Sequence, residues 1–267
     1  MATIHTRSFA VVTGGSSGIG LELAKQFVAN NFDVMIAADG SDVMEVAKLL
    51  EVDGAIIYPQ RVDLSTREGV EQLWQAIQGV QRPVDAIAIN AGIGLGGRFL
   101  DTDFDDELKM IQLNCESVVR LAKFVARDMA ARGRGRILIT SSIAGTMPAP
   151  YEAVYGATKA FDLSFAEALH HELADTGVTV TAMQPGPTDT KFFDRAGLAD
   201  TKVGTAEKDD PALVAKQGFE AMMKGKDKVI VGSLKTKLTG LANEVLPEST
   251  KARQHARQAE PGSGRKQ

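Results

Sequence analysis

The sequence predicts an α/β protein, built as a doubly wound parallel sheet of about seven strands with helices on both faces. Two observations lead to this fold class. First, short apolar and β-branched runs alternate with amphipathic segments over residues 8–232, an order typical of parallel strands joined by crossover helices. Second, runs such as residues 84–89 (VDAIAI) are almost continuously apolar, as expected for strands that helices cover on both faces.

Seven apolar runs are the predicted strands. They span residues 9–12, 33–37, 55–58, 84–89, 136–140, 178–183 and 229–231. Amphipathic segments lie between them, for example at residues 20–30, 65–78 and 107–131. No repeat or linker interrupts this alternation, so we expect a single domain over residues 1–247.

Three later segments depart from the alternation. Residues 188–210 form a long polar insertion with adjacent aromatics at Phe192 and Phe193, and loops of this length are usually functional lids or disordered. Residues 233–246 are expected to form a C-terminal helix, because apolar residues repeat there at helical spacing. The stretch 248–267 has almost no apolar content and is expected to be a mobile tail.

Composition and charge narrow the function classes. The net charge is −4 and the pI is about 5.7, so no overall positive field would attract nucleic acid. No apolar stretch approaches the roughly 20 residues that span a bilayer, and no cleavable leader precedes the first strand. We therefore expect a cytoplasmic protein without a membrane span. The single cysteine, Cys115, allows neither an internal disulfide nor a cysteine-based zinc site, and no metal site is expected.

A glycine-rich turn, TGGSSGIG at residues 13–20, follows the first predicted strand. Gly14 permits a tight turn, Gly18 lets backbone approach a pyrophosphate, and Gly20 allows a helix to pack closely on a strand. The amino terminus of that helix offers N–H groups to phosphates. A plain turn would also use glycine, but the strand–turn–helix context favours dinucleotide binding. The residues expected to hold the dinucleotide here are Gly14, Ser16, Ser17, Gly18, Ile19 and Gly20.

Asp39 lies just beyond the second predicted strand. An acidic residue at this place is expected to bind the ribose 2′-hydroxyl of NAD, although Asp39-Gly40 is also a common turn dipeptide. We favour the first interpretation, and with it NAD over NADP, because a 2′-phosphate would face a carboxylate.

Tyr155 and Lys159 stand four residues apart in the run YGATK. On a helix this spacing puts the phenol and the ammonium on one face. Taken alone, the pair could be an interfacial aromatic with a solvated lysine, or a pair that transfers protons.

In combination, these motifs resemble those of the short-chain dehydrogenase/reductase family, in its short single-domain branch. The similarity covers residues 8 to about 232. The motifs that carry it, in the family's order, are TGGSSGIG, Asn90-Ala91-Gly92, Ser142, and Tyr155 with Lys159. The resemblance implies a Rossmann-type, dinucleotide-binding catalytic domain. It also implies that the insertion at residues 188–210 is a substrate lid.

The resemblance further assigns site residues. The catalytic residues of the family fall on Asn114, Ser142, Tyr155 and Lys159. Ser142 is chosen over Ser141 because its separation from the tyrosine is the usual one in the family. Other cofactor contacts fall on Asp63, Leu64, Asn90, Ala91, Gly92, Tyr155, Lys159, Pro185, Gly186, Thr188 and Thr190. Thr188 is a departure, since the family usually has valine there.

By resemblance, the protein is expected to be an NAD(P)-dependent oxidoreductase. It would move a hydride between a nicotinamide cofactor and a secondary alcohol or its ketone. Tyr155 would be the acid/base, with its pKa lowered by the Lys159 ammonium and the oxidised nicotinamide. The alternative is a non-catalytic protein that senses a dinucleotide. Such proteins typically lose the tyrosine or the lysine, and both are present here.

The expected partners are a small, largely apolar alcohol or ketone and further copies of the chain. By resemblance, the long helices at residues 107–131 and 154–174 form a subunit interface, which implies a homodimer or a homotetramer. A larger or membrane-derived substrate is a further alternative, with residues 234–245 as an interaction surface.

Overall fold

The computed structural model describes residues 7–264. Its centre is one parallel sheet of seven strands in the order β3-β2-β1-β4-β5-β6-β7. This confirms the predicted Rossmann-type, doubly wound fold. The strands are β1 (Ser8–Thr13), β2 (Phe32–Ala38), β3 (Ile57–Arg61), β4 (Ala86–Ile89), β5 (Gly135–Thr140), β6 (Val178–Pro185) and β7 (Lys228–Val231).

Helices connect the strands and extend the chain beyond β7. Within the described residues they are α1 (Gly18–Ala29), α2 (Val43–Leu50), α3 (Arg67–Gly79), α4 (Phe104–Ile111), α5 (Ser117–Ala131), α6 (Ala153–Glu172), α7 (Phe192–Arg195), α8 (Lys202–Thr205), α9 (Pro211–Met223), α10 (Leu234–Asn243) and α11 (Glu248–Ala259).

Two apolar clusters, one on each face of the sheet, form the core. Successive residues of a strand point to opposite faces. In β1, Phe9 and Val11 belong to one cluster, whereas Ala10 and Val12 belong to the other. Helices α3 and α5 pack on the first face, and α1, α2 and α9 pack on the second. Burial on both faces explains why the strands are continuous apolar runs in the sequence.

The order of the strands positions the site. Because β1 lies between β2 and β4, the chain winds in one direction through β2 and β3 and in the other through β4 to β7. At such a switch point the loops diverge and leave a crevice at the carboxyl edge of the sheet. The glycine-rich turn follows β1 and Asn90 follows β4, so both border this crevice.

Some element boundaries differ from those expected. β3 is Ile57–Arg61 instead of residues 55–58, because its ladder to β2 begins at Ile57. The predicted helix at residues 107–131 is interrupted by a π-helical turn at Gln112–Glu116, which separates α4 from α5.

The expectation of a mobile tail at residues 248–267 is wrong for the part that forms α11. Polar rather than apolar contacts hold this helix. Lys251 is only 5% exposed, and its ammonium donates to the carbonyl oxygens of Thr146 and Asn243, both at 3.1 Å. Helix α11 therefore packs on the rest of the protein despite its low apolar content, because Lys251 donates to two carbonyl oxygens there. Residues 265–267 lie outside the described residues.

The insertion at residues 188–210 is folded. It contains α7 and α8, and a small cluster of buried side chains, Phe193, Ala196 and Leu198, holds it together. The Lys208 ammonium lies 5.0 Å from the centre of the Phe193 ring. The insertion therefore has a core of its own and is not a disordered loop.

The expected C-terminal helix is α10. Its outer face carries Leu234, Leu238 and Leu241, each more than half exposed. In the part of the chain that the structure describes, no helix has the length and apolar character needed to cross a membrane.

Candidate active site

The turn after β1 adopts a conformation that needs glycine. Gly14 and Gly18 have φ angles of +66° and +54°, a region that residues with a Cβ rarely adopt. At Gly20, a Cβ would collide with the carbonyl oxygen of Gly14, so α1 packs directly against the turn. The result is a cradle lined by backbone at the start of α1.

The cradle offers free hydrogen-bond donors. The N-cap of α1 is Ser17, whose side chain makes no capping hydrogen bond, and the first turn holds no acidic residue. The first N–H groups of a helix have no intrahelical partner and attract phosphate. Ser16 and Ile19 lie in the same turn. Across the cradle, the Thr190 methyl would lie 2.9 Å from a Cβ at Gly18, so only glycine leaves this space open.

Thr13, at the end of β1, joins that strand to the loop after β4. Its hydroxyl oxygen accepts hydrogen bonds from the N–H groups of Asn90 at 2.9 Å and Ala91 at 3.0 Å. The Asn90 side-chain amide donates to the Thr13 carbonyl oxygen at 3.2 Å, and its Oδ1 accepts from the Thr140 hydroxyl at 3.1 Å. The carboxyl ends of β1, β4 and β5 are thereby fixed relative to one another.

Asp39 and Asp63 follow β2 and β3 at one end of the crevice. Asp39 is exposed, and the Arg61 Nε donates to its carbonyl oxygen at 3.2 Å, which puts an unanticipated cation beside it. Asp63 accepts hydrogen bonds from the Ser65 hydroxyl at 2.6 Å and the Ser65 N–H at 2.9 Å. These bonds hold the pKa of the Asp63 carboxyl below its ordinary value. The Leu64 side chain is buried in the core, which leaves its backbone for a ligand.

A π-helical turn positions Asn114, which is fully buried. Its Oδ1 accepts from the Ile93 N–H at 3.0 Å, and its amide donates to the Ile93 carbonyl at 2.9 Å and to the Thr158 hydroxyl at 3.0 Å. Single π turns are frequent at functional sites. Here the turn clamps the loop after β4 to α6.

Two serines follow β5, and their hydroxyls have different surroundings. The Ser141 hydroxyl donates to the Lys159 carbonyl oxygen at 2.6 Å, so it links β5 to α6. The Ser142 hydroxyl donates to the Pro185 carbonyl oxygen at 3.4 Å and accepts from the Ala144 N–H at 3.1 Å, and it lies close enough to the Tyr155 phenol to lower the pKa of that group. Ser142, not Ser141, thus reaches the tyrosine, as its predicted role requires.

The surroundings of the Tyr155 phenol disfavour its ionisation. Burial raises the pKa of the phenol above its ordinary value, the Glu152 carboxylate and then the Asp162 carboxylate add to the rise, and the Ser142 hydrogen bond opposes it. The lowering expected from Lys159 and an oxidised nicotinamide together concerns the cofactor-bound site, and the protein groups alone act in the other direction. Burial is the largest cause, and the Lys159 ammonium is itself paired with the Asp162 carboxylate.

The Lys159 side chain is held by two acceptors and is 5% exposed. Its Nζ donates to the Thr140 carbonyl oxygen at 3.0 Å and to Asp162 Oδ2 at 2.9 Å. A Cβ at Gly92 would lie 3.2 Å from Asn114 Oδ1 and 3.4 Å from the Lys159 Nζ. The missing side chain at Gly92 therefore lets the loop after β4 approach both residues closely.

The turn after β6 faces the glycine-rich turn. Pro185 ends β6, and a Cβ at Gly186 would meet the side chain of Thr236. The buried Thr188 hydroxyl donates to the Gly186 carbonyl oxygen at 2.9 Å, so it stabilises its own turn. Of the two threonines predicted near the carboxamide, Thr190 is the one that touches the glycine-rich turn.

The insertion at residues 188–210 and helix α11 border the site. The Phe192 ring of α7 lies 5.3 Å from the Tyr155 ring, centre to centre, whereas Phe193 is buried within the lid. Glu152, just before α6, has its Oε2 3.1 Å from the Nε2 of His255 in α11. The site therefore has an aromatic wall on one side and a carboxylate paired with a histidine near it.

Four residues with contacts to the site were not identified from the sequence: Thr13, Arg61, Thr158 and Asp162. The two threonines act through hydrogen bonds to residues distant in sequence, and no local pattern marks them. Asp162 did carry a signal, because it stands three positions after Lys159, a spacing at which helical side chains meet.

Comparison with known proteins supports the assignment of these motifs. The model of the short chain dehydrogenase family matches residues 8–200. A Streptomyces virginiae protein named "Monensin polyketide synthase putative ketoacyl reductase" is 36% identical over 198 residues, which cover 72% of this chain and 75% of that protein. "Probable oxidoreductase EphD" of Mycobacterium tuberculosis is 32% identical over 189 residues, or 70% of this chain. The match spans only 32% of the EphD protein.

Solved structures share the fold. A short-chain dehydrogenase from Sphingobium yanoikuyae in complex with NADPH has a TM-score of 0.78 at 26% identity, covering 84% of this chain and 87% of that one. A short chain dehydrogenase/reductase from Burkholderia phymatum in complex with NAD has a TM-score of 0.79 at 22% identity, covering 89% and 92%. Since the family match contains the glycine-rich turn and the serine, tyrosine and lysine of the site, the chain belongs to the short chain dehydrogenase family.

Proposed function

We propose that the protein is a nicotinamide-dependent oxidoreductase that interconverts a secondary alcohol and its ketone, with Tyr155 as the acid/base. The observation that carries this proposal is the meeting of Asn114, Ser142, Tyr155 and Lys159 at the carboxyl edge of the sheet. These residues come from the π turn, the end of β5 and α6, and they lie beside a cradle suited to phosphate.

Each residue has a task that suits its chemistry. The Ser142 hydroxyl and the Tyr155 phenol, which lie near one another, can both donate to a substrate oxygen where negative charge develops. Tyr155 then gives the proton to that oxygen, or takes it in the reverse direction. Asn114 holds the loop against which Lys159 lies, and Lys159 provides a positive charge on the same helical face as the phenol.

The crevice fits a nicotinamide dinucleotide. The N–H groups at the start of α1 would hold its pyrophosphate, Asp39 its adenosine ribose, and Asp63 its adenine. When bound, the dinucleotide supplies the hydride donor or acceptor. We expect NAD to be preferred, because the exposed Asp39 carboxylate would repel a 2′-phosphate. The nearby Arg61 reduces this preference, since it would attract the same phosphate.

The substrate is proposed to be a largely apolar ketone or alcohol. Phe192 borders Tyr155 and belongs to the insertion at residues 188–210, which we propose to be a lid over the substrate. The Streptomyces relative is named as a ketoacyl reductase, and its similarity supports carbonyl reduction as the reaction class.

Assembly into a homodimer or homotetramer is proposed as well. Apolar side chains on α4 and α6 face outward, with Leu108, Ile111 and Phe161 each about two-fifths exposed and Phe104 more so. Outward apolar patches of this kind mark interaction surfaces. Light scattering at micromolar concentration should report a dimer or tetramer, and a monomer would contradict the proposal.

A cofactor and substrate screen tests the activity directly. Purified protein would be mixed with NADH or NADPH and a panel of ketones of increasing size, and with NAD or NADP and the matching alcohols. The absorbance of the reduced nicotinamide reports turnover. We expect turnover of bulky apolar ketones and none with Tyr155→Phe. Binding of the dinucleotide without turnover across the panel would instead favour the non-catalytic, dinucleotide-sensing function.

A further inference from the structure

A buried carboxylate lies beside Lys159 and is not required by the mechanism above. Asp162 is in α6, and none of its surface is exposed. Its Oδ2 accepts a hydrogen bond from the Lys159 Nζ at 2.9 Å. Its Oδ1 is buried, and among residues 7–264 no group donates a hydrogen bond to it. A buried carboxylate oxygen without a donor is destabilising, and a leucine here would avoid that loss. Its presence therefore favours a functional role.

The hydrogen bonds of Lys159 show what Asp162 does to the ammonium. An ammonium group has three N–H donors. One goes to the Thr140 carbonyl oxygen and a second goes to Asp162. One donor is left for the crevice, where Gly92 approaches the Nζ. Asp162 therefore fixes the direction of the side chain and places a negative charge next to its positive charge.

The charge of Asp162 also acts on titratable groups that surround the Lys159–Asp162 pair. From α6, Tyr155 faces the pair, and Glu152 lies near its phenol. From the π turn, Cys115 faces the pair: burial raises the pKa of its thiol to about 11, the Asp162 carboxylate adds to the rise, and Lys159 opposes it. From α11, His255 contacts Glu152. Asp162 thus acts on both a thiol and a phenol, and in each case it disfavours the anion.

We propose that Asp162 is a positioning residue that holds the Lys159 ammonium and offsets its charge, so that Tyr155 stays a protonated phenol to higher pH than Lys159 alone would allow. The inference rests on the proposed function, because it concerns the proton that Tyr155 would donate. Asp162 would then be a second group, besides Lys159, that sets the pH range over which Tyr155 can donate its proton.

The size of the effect follows from the helix. Asp162 comes seven residues after Tyr155, which is about 10 Å along the axis at 1.5 Å per residue. At an effective dielectric of about 20, a unit charge at that distance shifts a pKa by about one unit. Removing the Asp162 charge should therefore lower the pH at which tyrosinate forms by about one unit.

The test measures tyrosinate directly and needs no substrate. Near-ultraviolet absorbance would be titrated against pH for NAD-saturated protein, as wild type, Asp162→Asn and Glu116→Gln. Each would be corrected by its own Tyr155→Phe counterpart, so that only Tyr155 contributes. Glu116→Gln is the matched control, because it removes an exposed carboxylate from the neighbouring π turn. We expect the midpoint of Asp162→Asn to fall by about one unit and that of Glu116→Gln to stay at the wild-type value.

Several results would overturn the proposal. An unchanged midpoint in Asp162→Asn would do so, as would a midpoint that rises. If Asp162→Asn does not fold by circular dichroism, Asp162→Leu replaces it, since Thr140 can still bind the ammonium. Failure of both variants to fold would show that Asp162 is purely structural and would also overturn the proposal.

Kinetics separates this inference from the proposed function. If a ketone is reduced, the alkaline limb of kcat/KM should move down by the same unit in Asp162→Asn. A uniform loss of rate with an unmoved limb would mean that Asp162 only supports the fold. If no ketone is reduced by the wild type, the proposed function fails, yet a shifted tyrosinate midpoint would still support the role of Asp162.

Discussion

The preference between NAD and NADP depends on two opposite charges at the end of the crevice, Asp39 and Arg61. A 2′-phosphate on the adenosine ribose would bring a second negative group against the Asp39 carboxylate. Two unit charges about 4 Å apart at an effective dielectric near 20 interact by about 4 kcal/mol. Because Asp39 is exposed, water and salt reduce this repulsion to roughly 1–2 kcal/mol. That range corresponds to about a 5- to 30-fold difference in Kd.

The positive charge of Arg61 would attract the 2′-phosphate and so favour NADP. Its Nε donates to the Asp39 carbonyl oxygen at 3.2 Å, so its guanidinium is within reach of the same ribose and can pair with a phosphate. We therefore expect Asp39→Ser to strengthen NADP binding by roughly 10-fold, because the repulsion is lost and the cation is kept. Arg61→Gln should weaken NADP binding by roughly 10-fold and change NAD binding by less than about twofold.

Fluorescence titrations of NADH and NADPH against the wild type and each variant would give the dissociation constants of both cofactors. Arg120→Gln is a matched control, because it removes an arginine of α5 whose partner is Glu116 of the π turn. Tighter NADPH than NADH binding by the wild type would refute the argument from Asp39. An unchanged NADH-to-NADPH ratio in Asp39→Ser would show that the carboxylate does not face the ribose.

Three further predictions concern the residues that we propose to be catalytic. Tyr155→Phe keeps the aromatic ring but loses the acid/base, so steady-state assays should show a fall in kcat of about 1,000-fold, while titration finds NADH binding retained. Ser142→Ala should lose about 100-fold in kcat and Ser141→Ala much less, and the opposite ranking would refute the choice of Ser142. Asn114→Leu leaves the Ile93 N–H and carbonyl without their partners. Urea denaturation should show a loss of about 2–4 kcal/mol, and wild-type stability would contradict the clamp.

The strands of the sheet could be predicted because each one is marked by an apolar run in its own sequence. In β5, Ile137 and Ile139 point to one apolar cluster and Leu138 to the other, so the run is apolar without interruption. The start of β3 could not be predicted in this way. It is set by the register with β2, where the Ile56 N–H bonds the Asp33 carboxylate. Register depends on the partner strand, and no single run contains that information.

The site residues also fall into two groups, those marked by a local sequence pattern and those that depend on contacts between distant parts of the chain. Glycines at a turn and a tyrosine four positions before a lysine are local patterns, so Gly14, Tyr155 and Lys159 could be identified directly. The π turn depends on hydrogen bonds between Asn114 and Ile93, 21 positions apart. The protonation state of Tyr155 depends on burial and on which carboxylates pack nearby. The sequence therefore points to Tyr155 as a candidate acid/base, but it does not show the burial and the carboxylates that raise the pKa of the phenol in the structure.

Helix α11 shows why a low apolar content did not predict whether the segment is ordered. A mobile tail was expected because α11 has little apolar surface to bury. The Lys251 ammonium instead donates to the Thr146 carbonyl oxygen on the body of the protein, and the His255 Nε2 lies 3.1 Å from the Glu152 Oε2. Beyond the helix, the Ser263 hydroxyl accepts a hydrogen bond from the Lys202 N–H of the lid at 3.0 Å. This polar segment thus contacts the start of α6, the loop after β5 and the insertion at residues 188–210. The surroundings of Tyr155 therefore include polar contacts from α11, through His255 beside Glu152, as well as the apolar core.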